Sequence, residues 1–287
     1  MNQFAQSAVP ESLEETSPVE GRIQREWRLS AFQDLKDGLL QWPLWFTIAW
    51  MDIRQRYRRS LIGPFWITIS LGIFVTGLGV VYGGLFRQDL RTYLPYLATG
   101  VIVWTMIANL ITEGCNTFIS AERAIKQVPV PISVHVFRLV WRNVIVFGHN
   151  LLIFVILALL FGIPLQLSTL LALPGLVIVM VTGIGISLTL GVLSARFRDI
   201  PLIITNLVQL LFFTTPILWR ADILPPDRSW IARFNPFHYL IEVIRQPLLG
   251  QTLPLAAWLV AITTAVVAVV VGIGFYTRYR VRIAYWL

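Results

Sequence analysis

The residues able to do chemistry in this chain are few, and their spacing assembles no catalytic centre. His135, His149 and His238 stand far apart, with no cysteine or glutamate at metal-ligand spacing, so no metal site is expected. Cys115 is the single cysteine, which excludes an intrachain disulfide and any multi-cysteine metal site. Lys36 and Lys126 are the two lysines, and neither follows a glycine. Without a Gly-x-x-x-x-Gly-Lys-Ser/Thr loop, the chain is not expected to bind ATP by that route. Gly-x-Ser-x-Gly does not occur, and no paired carboxylates sit at the ends of the apolar runs. The expectation is a protein that does no covalent chemistry of its own.

The elements that would position these residues are set by lipid rather than water. The 287 residues are 56% hydrophobic and 13% charged, and the mean hydropathy is +0.70. A soluble domain carries about a quarter charged residues, and here the deficit falls in long uncharged runs. About 20 mostly apolar residues cross the hydrocarbon core as a helix. Runs at 65–86, 92–112, 143–161, 170–193, 200–219 and 253–276 meet that need, which predicts six transmembrane helices. The third and fourth share one uncharged stretch, broken near Gly162-Ile163-Pro164. The net charge of +8 is read as membrane flanks rather than a nucleic-acid surface, because the arginines sit beside the apolar runs. Six spans with the N-terminus inside place most lysines and arginines on the cytoplasmic side, so both termini are expected there. The polar start, acidic at first, does not read as a cleavable signal peptide. Residues 1–39 are therefore expected as a polar cytoplasmic tail, and 40–287 as the transmembrane domain.

Three segments do not read as spans. In residues 42–60, Trp42, Phe46, Ala49, Trp50, Ile53 and Tyr57 share one helical face, while Arg54, Arg58 and Arg59 lie off it and Arg56 near its edge. That pattern predicts an amphipathic helix in the headgroup plane, either a simple anchor or a cuff around a cytoplasmic partner. The link 113–134 holds a short helical stretch around Phe118 to Gln127, ended by Pro129 and Pro131. It is either a plain cytoplasmic loop or a seat for a motor subunit. Residues 220–252 are too mixed to span. Trp230, Ile231 and Phe234 make a short stripe, and Asn235-Pro236 opens a helix that Gly250 can stop. Two short re-entrant helices there would form an outer gate, or the segment is an ordinary outer loop. Asn109, His149, Asn150 and Asn206 are the polar residues expected within the spans, for interhelical hydrogen bonds or for a pathway. Gly79-x-x-x-Gly83 allows close helix packing.

With these pieces in place, the chain resembles the membrane subunit of the ABC-2-type permeases that export O antigen, capsule or teichoic acid. One carrier of the resemblance is Asp52-Ile53-Arg54-Gln55-Arg56-Tyr57-Arg58-Arg59-Ser60-Leu61-Ile62-Gly63-Pro64-Phe65-Trp66, similar to the family's basic interfacial helix running into the first span. The other is Asn235-Pro236-Phe237-His238-Tyr239-Leu240-Ile241-Glu242-Val243-Ile244-Arg245, similar to its outer gate helix. The resemblance covers roughly residues 40–287. It implies a bacterial inner-membrane, multi-pass homodimer that works with two copies of a separate ABC ATPase, which would bind ATP and Mg. It also implies a coupling helix including Phe118, Ala121, Glu122, Arg123, Ile125 and Lys126, framed by Arg54, Arg56, Tyr57, Arg58 and Arg59. The outer gate would include Trp230, Phe234, Asn235, Pro236, Phe237 and Glu242.

The implied substrate is a lipid-linked polysaccharide, and a sliding polymer needs weak, repeated contacts. Tyr93, Tyr96, Trp104, Phe212, Phe213 and Trp219 are candidates to stack on sugars, with interfacial belts and packing as the competing explanation. An exporter of a lipid, drug or other small molecule would share the topology. A membrane glycan-lipid enzyme would need acidic or basic residues gathered at one membrane face, and Asp222, Asp227 and Glu242 are the candidates for it.

Overall fold

Apolar runs of this length fold as helices because a helix satisfies its own backbone groups in hydrocarbon. A computed structural model of the chain describes residues 31–56, 58, 62–63, 65–164 and 166–287. Among these the helices are α1 (Ala31–Leu40), α2 (Trp42–Arg56), α3 (Phe65–Leu85), α4 (Leu90–Cys115), α5 (Glu122–Gln127) and α6 (Val134–Phe161). After them come α7 (Ala172–Arg196), α8 (Ile200–Thr214), α9 (Trp230–Arg233), α10 (Pro236–Leu248) and α11 (Leu255–Trp286). A 3-10 turn, Leu167–Leu171, runs directly into α7.

Five stretches are long and apolar enough to cross a membrane: Phe65–Leu85, Leu90–Cys115, Val134–Phe161, Leu167–Arg196 and Leu255–Trp286. Of the fifth span expected from the sequence, 200–219, only Ile200–Thr214 is helical, as the 15-residue α8. At 1.5 Å per residue α8 is about 22 Å long, short of the ~30 Å hydrocarbon core. Pro216 ends it: the residue before a proline is pushed out of the helical region, and Thr215 sits at φ −88°, ψ 140°. Residues 215–218 continue as a buried, bent strap, with the Ile217 N–H donating to the Thr215 carbonyl at 2.7 Å. Several true helices also outrun the expected spans, α6 beginning at Val134 rather than Asn143 and α11 reaching Trp286. An uncharged run marks only the part of a helix that lies in lipid. The expected polar tail is corrected too, because its residues from Ala31 onward form α1, with Asp34 and Gly38 buried. The rest of that tail, residues 1–30, lies outside the described residues, as do Tyr57 and Arg59.

The core lies along α4. In α4, 78% of the apolar window is buried inside the chain, against 11% in α3 and 22% in α11. α4 touches α3, α6, α7, α8 and α10, and Leu97, Val101, Val103 and Leu110 fill the space between them. Gly79 and Gly83 turn α3 toward Leu94 and Leu90 of α4, as their spacing suggests. Another close approach is of backbone to backbone. A Cβ on Gly185 of α7 would lie 2.3 Å from the Ala268 backbone, and one on Gly272 of α11 would lie 2.4 Å from the Gly185 carbonyl. Only the missing side chains let these two backbones meet.

Candidate functional site

At the end where α1, α2 and α5 gather, residues 116–133 form a compact projection. Phe118 is fully buried, its ring 6.3 Å from that of Tyr276 and nearly parallel to it. A Cβ on Gly191 would come within 2.9 Å of the Phe118 ring, so α7 receives the ring in a slot. Ala121 and Ile125 join the same cluster with Val136, Leu188, Val192 and Ile283. The six expected coupling residues therefore divide by role. Phe118, Ala121 and Ile125 anchor the segment, whereas Arg123 and Lys126 are exposed and Glu122 is half-buried. Lys126 donates to Glu122 at 2.8 Å; this hydrogen bond, with the lysine's charge, holds the Glu122 carboxyl below its ordinary value. A helix of one and a half turns is thus rigidly seated and shows charge outward.

The helix expected to be interfacial, α2, packs on α6, but not with the whole aromatic stripe expected of it. Ala49 and Ile53 are buried, while Trp42, Phe46 and Trp50 are exposed. The reason is Asp52, which sits on the packed face. It accepts from Arg138 Nε at 2.7 Å and Nη2 at 2.5 Å, and from Arg142 Nη1 at 3.3 Å. Arg142 also donates to Glu113 at 2.7 Å, joined by Asn143 at 3.0 Å. Arg56 reaches Glu113 at 3.9 Å, and Arg54 and Arg58 are exposed. Trp45 rests against Phe137 and Trp141, ring centroids 6.2 and 5.9 Å away. Half-buried charges hold together only when paired and hydrogen-bonded in this way. The network fixes α2 against the start of α6 and the end of α4.

At the opposite end α9, α10 and the 215–219 strap cap the bundle. Asn235 caps α10 by accepting from the Phe237 N–H at 3.0 Å, and Pro236 occupies the first turn, as the Asn-Pro pair predicts. The Asn235 amide also donates to Thr215 at 2.8 Å, tying α10 to the strap. Arg245 is 0% exposed. It donates to the Pro216 carbonyl at 2.9 Å, pairs with Glu242 and lies 3.9 Å from the centre of the Tyr96 ring. Gln246 donates to the second Glu242 oxygen at 2.6 Å. Burial pushes the Glu242 carboxyl up, yet Arg245 outweighs it and leaves the group below its ordinary value. Burial lowers the His238 imidazole, against the pull of Glu242. Trp230 and Phe234 stay exposed at the rim. Beside Arg245, a recess of about 300 Å³ is lined by Arg220, Asp222, His238, Tyr239 and Gln246.

The six aromatic candidates separate as well. Tyr93 donates to the Leu218 carbonyl at 2.5 Å, and the Tyr96 hydroxyl lies 3.3 and 3.2 Å from the Pro216 and Trp219 carbonyls. Both brace the strap. Trp104, 5% exposed, is wedged between Phe212 and Phe237 at 6.1 and 6.0 Å. In this conformation protein covers these three rings, so the geometry supports packing for them. Trp219 is half-buried and donates to the Phe213 carbonyl at 3.0 Å. Phe213 itself is 54% exposed. It shares the outward side of α8 with Asn206 and Gln209.

Residues 43–249 match the family model described as ABC-2 type transporter. The chain belongs to that family. With five helices long and apolar enough to cross, this ABC-2 chain is a multi-pass membrane protein. Two of its relatives are O-antigen export system permease proteins RfbA from Klebsiella pneumoniae. One is 26% identical over 234 residues and the other 28% over 238, each match covering 81% of this chain and 90% of the relative. A third, of the same name from Myxococcus xanthus, is 23% identical over 224 residues, or 76% of this chain and 85% of the relative.

Sequence reasoning missed several residues of the ABC-2 chain that the structure brings together. Asp52 and Arg245 stand in the sequence only as the ends of the two stretches that carry the resemblance, and Glu113, Arg138 and Arg142 carry no expected role. The i, i+3 spacing of Glu242 and Arg245 on an apolar helix face was the one local signal. No local signal marks Asp34, whose partners are far along the chain.

Proposed function

We propose that this chain is the channel-forming subunit of an ATP-driven exporter that moves lipid-linked polysaccharide from the cytoplasm across the bacterial inner membrane. The observation that carries the reading is the build of residues 116–133: an outward-facing charged turn whose underside is locked into the bundle by Phe118, Ala121 and Ile125. A loop needs no such anchorage, but a part that receives force does. The relatives named as O-antigen permeases supply the substrate class, since they match along 90% of their own length. ATP and Mg would sit on a separate ATPase, two copies of which would work with a dimer of this chain.

In this reading α8 crosses with help from the strap, giving six passes and both termini in the cytoplasm. α9 and α10 form the outer gate, latched by Arg245. The sparse burial of α3 and the exposed Asn206, Gln209 and Phe213 on α8 suit surfaces that face a second copy and the polymer path. Amide and aromatic groups on one face offer sugars shallow contacts. An apolar cleft of about 750 Å³, lined by Leu207, Leu211, Phe237, Val260 and Val267, suits the lipid portion.

The experiment is to shut off this gene in its host and locate the lipid-linked polysaccharide. Build-up inside with loss from the surface is the expected result. Unchanged surface glycan, with no internal build-up and no redundant exporter, would place a smaller substrate ahead of polysaccharide. Loss of the glycan without accumulation would point to an enzyme of its synthesis.

A further inference from the structure

The Asp34 carboxylate is fully buried, and four groups from two distant parts of the chain converge on it. The backbone N–H groups of Ile132 and Ser133 donate at 3.0 and 3.1 Å. The Tyr276 hydroxyl donates at 2.6 Å, and Arg280 Nη2 lies at 3.2 Å. In return Ser133 Oγ donates to the Asp34 carbonyl at 2.7 Å. One turn on, a Cβ at Gly38 would lie 2.1 Å from Ser133 Oγ, so a glycine is what lets α1 come this close. Burying a carboxylate is costly unless its lone pairs are filled and its charge is matched. Here both conditions are met, by residues far from it in sequence.

Ile132 and Ser133 are the exit of the segment 118–133, and Phe118 is its entry. The two ends are tied to the same side chain, the entry through the Phe118–Tyr276 ring stack and the exit through Asp34. α1 in turn runs into α2 almost without a break, with Gln41 N–H donating to the Asp37 carbonyl and Leu44 N–H to the Gln41 carbonyl, both at 3.0 Å. A push on residues 122–127 therefore has little slack to take up before it moves α1, α2 and the near end of α11 together.

We propose that Asp34 is a positioning residue for energy coupling, which makes α1 a strut that fixes the exit of the coupling segment to α11. This rests on the reading of 118–127 as the seat of the ATPase, and adds to it a helix from outside the family-matched region, residues 43–249.

The test uses the full chain in its host with the native copy shut off, and inside-out membrane vesicles from the same cells. Asp34→Ala is expected to insert at near-normal levels, to retain ATP hydrolysis and to lower polysaccharide transport roughly tenfold, since a satisfied buried carboxylate has been removed from its donors. Tyr276→Phe with Arg280→Met removes the two side-chain donors from the other side of the same junction and is expected to give the same pattern, ATP hydrolysis kept and transport lowered. A role in folding alone would lower inserted chain and ATP hydrolysis in step with transport. If Asp34→Ala inserts poorly, Asp34→Asn, read per inserted chain, replaces it. Normal transport by the Asp34 variant, or a loss of ATP hydrolysis in step with transport, overturns the strut. Glu122→Ala with Arg123→Ala is run beside it. Should that pair transport normally, the coupling reading itself fails; should it uncouple while the Asp34 variant does not, only the strut fails.

Discussion

Replacing Arg245 by methionine tests whether the outer cap is latched by one buried cation. Methionine keeps much of the volume and flexibility but removes the charge. Glu242 is then left buried with Gln246 and a neutral His238, the Pro216 carbonyl loses its donor, and Tyr96 loses the cation on its face. Breaking a buried pair by removing one partner costs about 3–5 kcal/mol, and the shared geometry means the lost contacts do not add. For a chain of this size that is roughly a 5–8 °C lower midpoint. Glu242 has an escape, which is to take a proton. In the parent its carboxyl is held low, so the stabilisation it gives is present above the unfolded value of about 4.3 and fades as pH falls through the folded one. In the variant the carboxyl is raised, and stability falls as pH rises. The gap between parent and variant should therefore be wide at neutral pH and narrow under acid conditions. The assay is thermal unfolding in nanodiscs at both pH values, with Arg245→Met combined with Glu242→Leu as the matching double variant. The double variant should recover most of the loss. A single variant as stable as the parent, or a double variant no better than the single, would refute the latch.

Trp104→Ala should cost about 3–5 kcal/mol by leaving a cavity between Phe212 and Phe237, whereas Phe213→Ala should leave stability within about 0.5 kcal/mol and slow export; unfolding and surface-glycan assays separate the two. Glu122→Ala with Arg123→Ala should leave the unfolding midpoint nearly unchanged, because the surface Glu122–Lys126 ion pair contributes little, while ATP hydrolysis continues without export. Phe118→Ala should lower the midpoint by an amount comparable to Trp104→Ala, since its ring fills the slot at Gly191. His238, lowered by burial, gives stability that is whole above about pH 6.5 and is lost as pH falls toward its folded value; His238→Gln should flatten that slope in the same unfolding assay.

What the sequence made legible was what short-range physics determines. The Asn235-Pro236 start of α10 follows from capping chemistry, and the short helix α5 follows from the proline stop at Pro129 and Pro131. The end of α8 was legible too, because Pro216 stands inside the apolar run, but counting apolar residues overrode it. Asp34 shows the limit: in sequence it is one acid in a polar stretch, and its burial depends on Ser133, Tyr276 and Arg280 arriving from elsewhere. Trp104 shows another. Depth in a span says that a ring is away from the interface, but not whether the neighbouring helix covers it.

The contact at Gly185 and Gly272 has a consequence for how the bundle can move. Side chains between helices act as a lubricating layer, since they change rotamer as one cylinder rolls or slips along another. Between α7 and α11 that layer is missing at one level, and main chain rests on main chain. The two helices are thus welded at that height and free to flex only above and below it. A rolling or sliding motion between these two helices must therefore pivot about this point or move them as a pair.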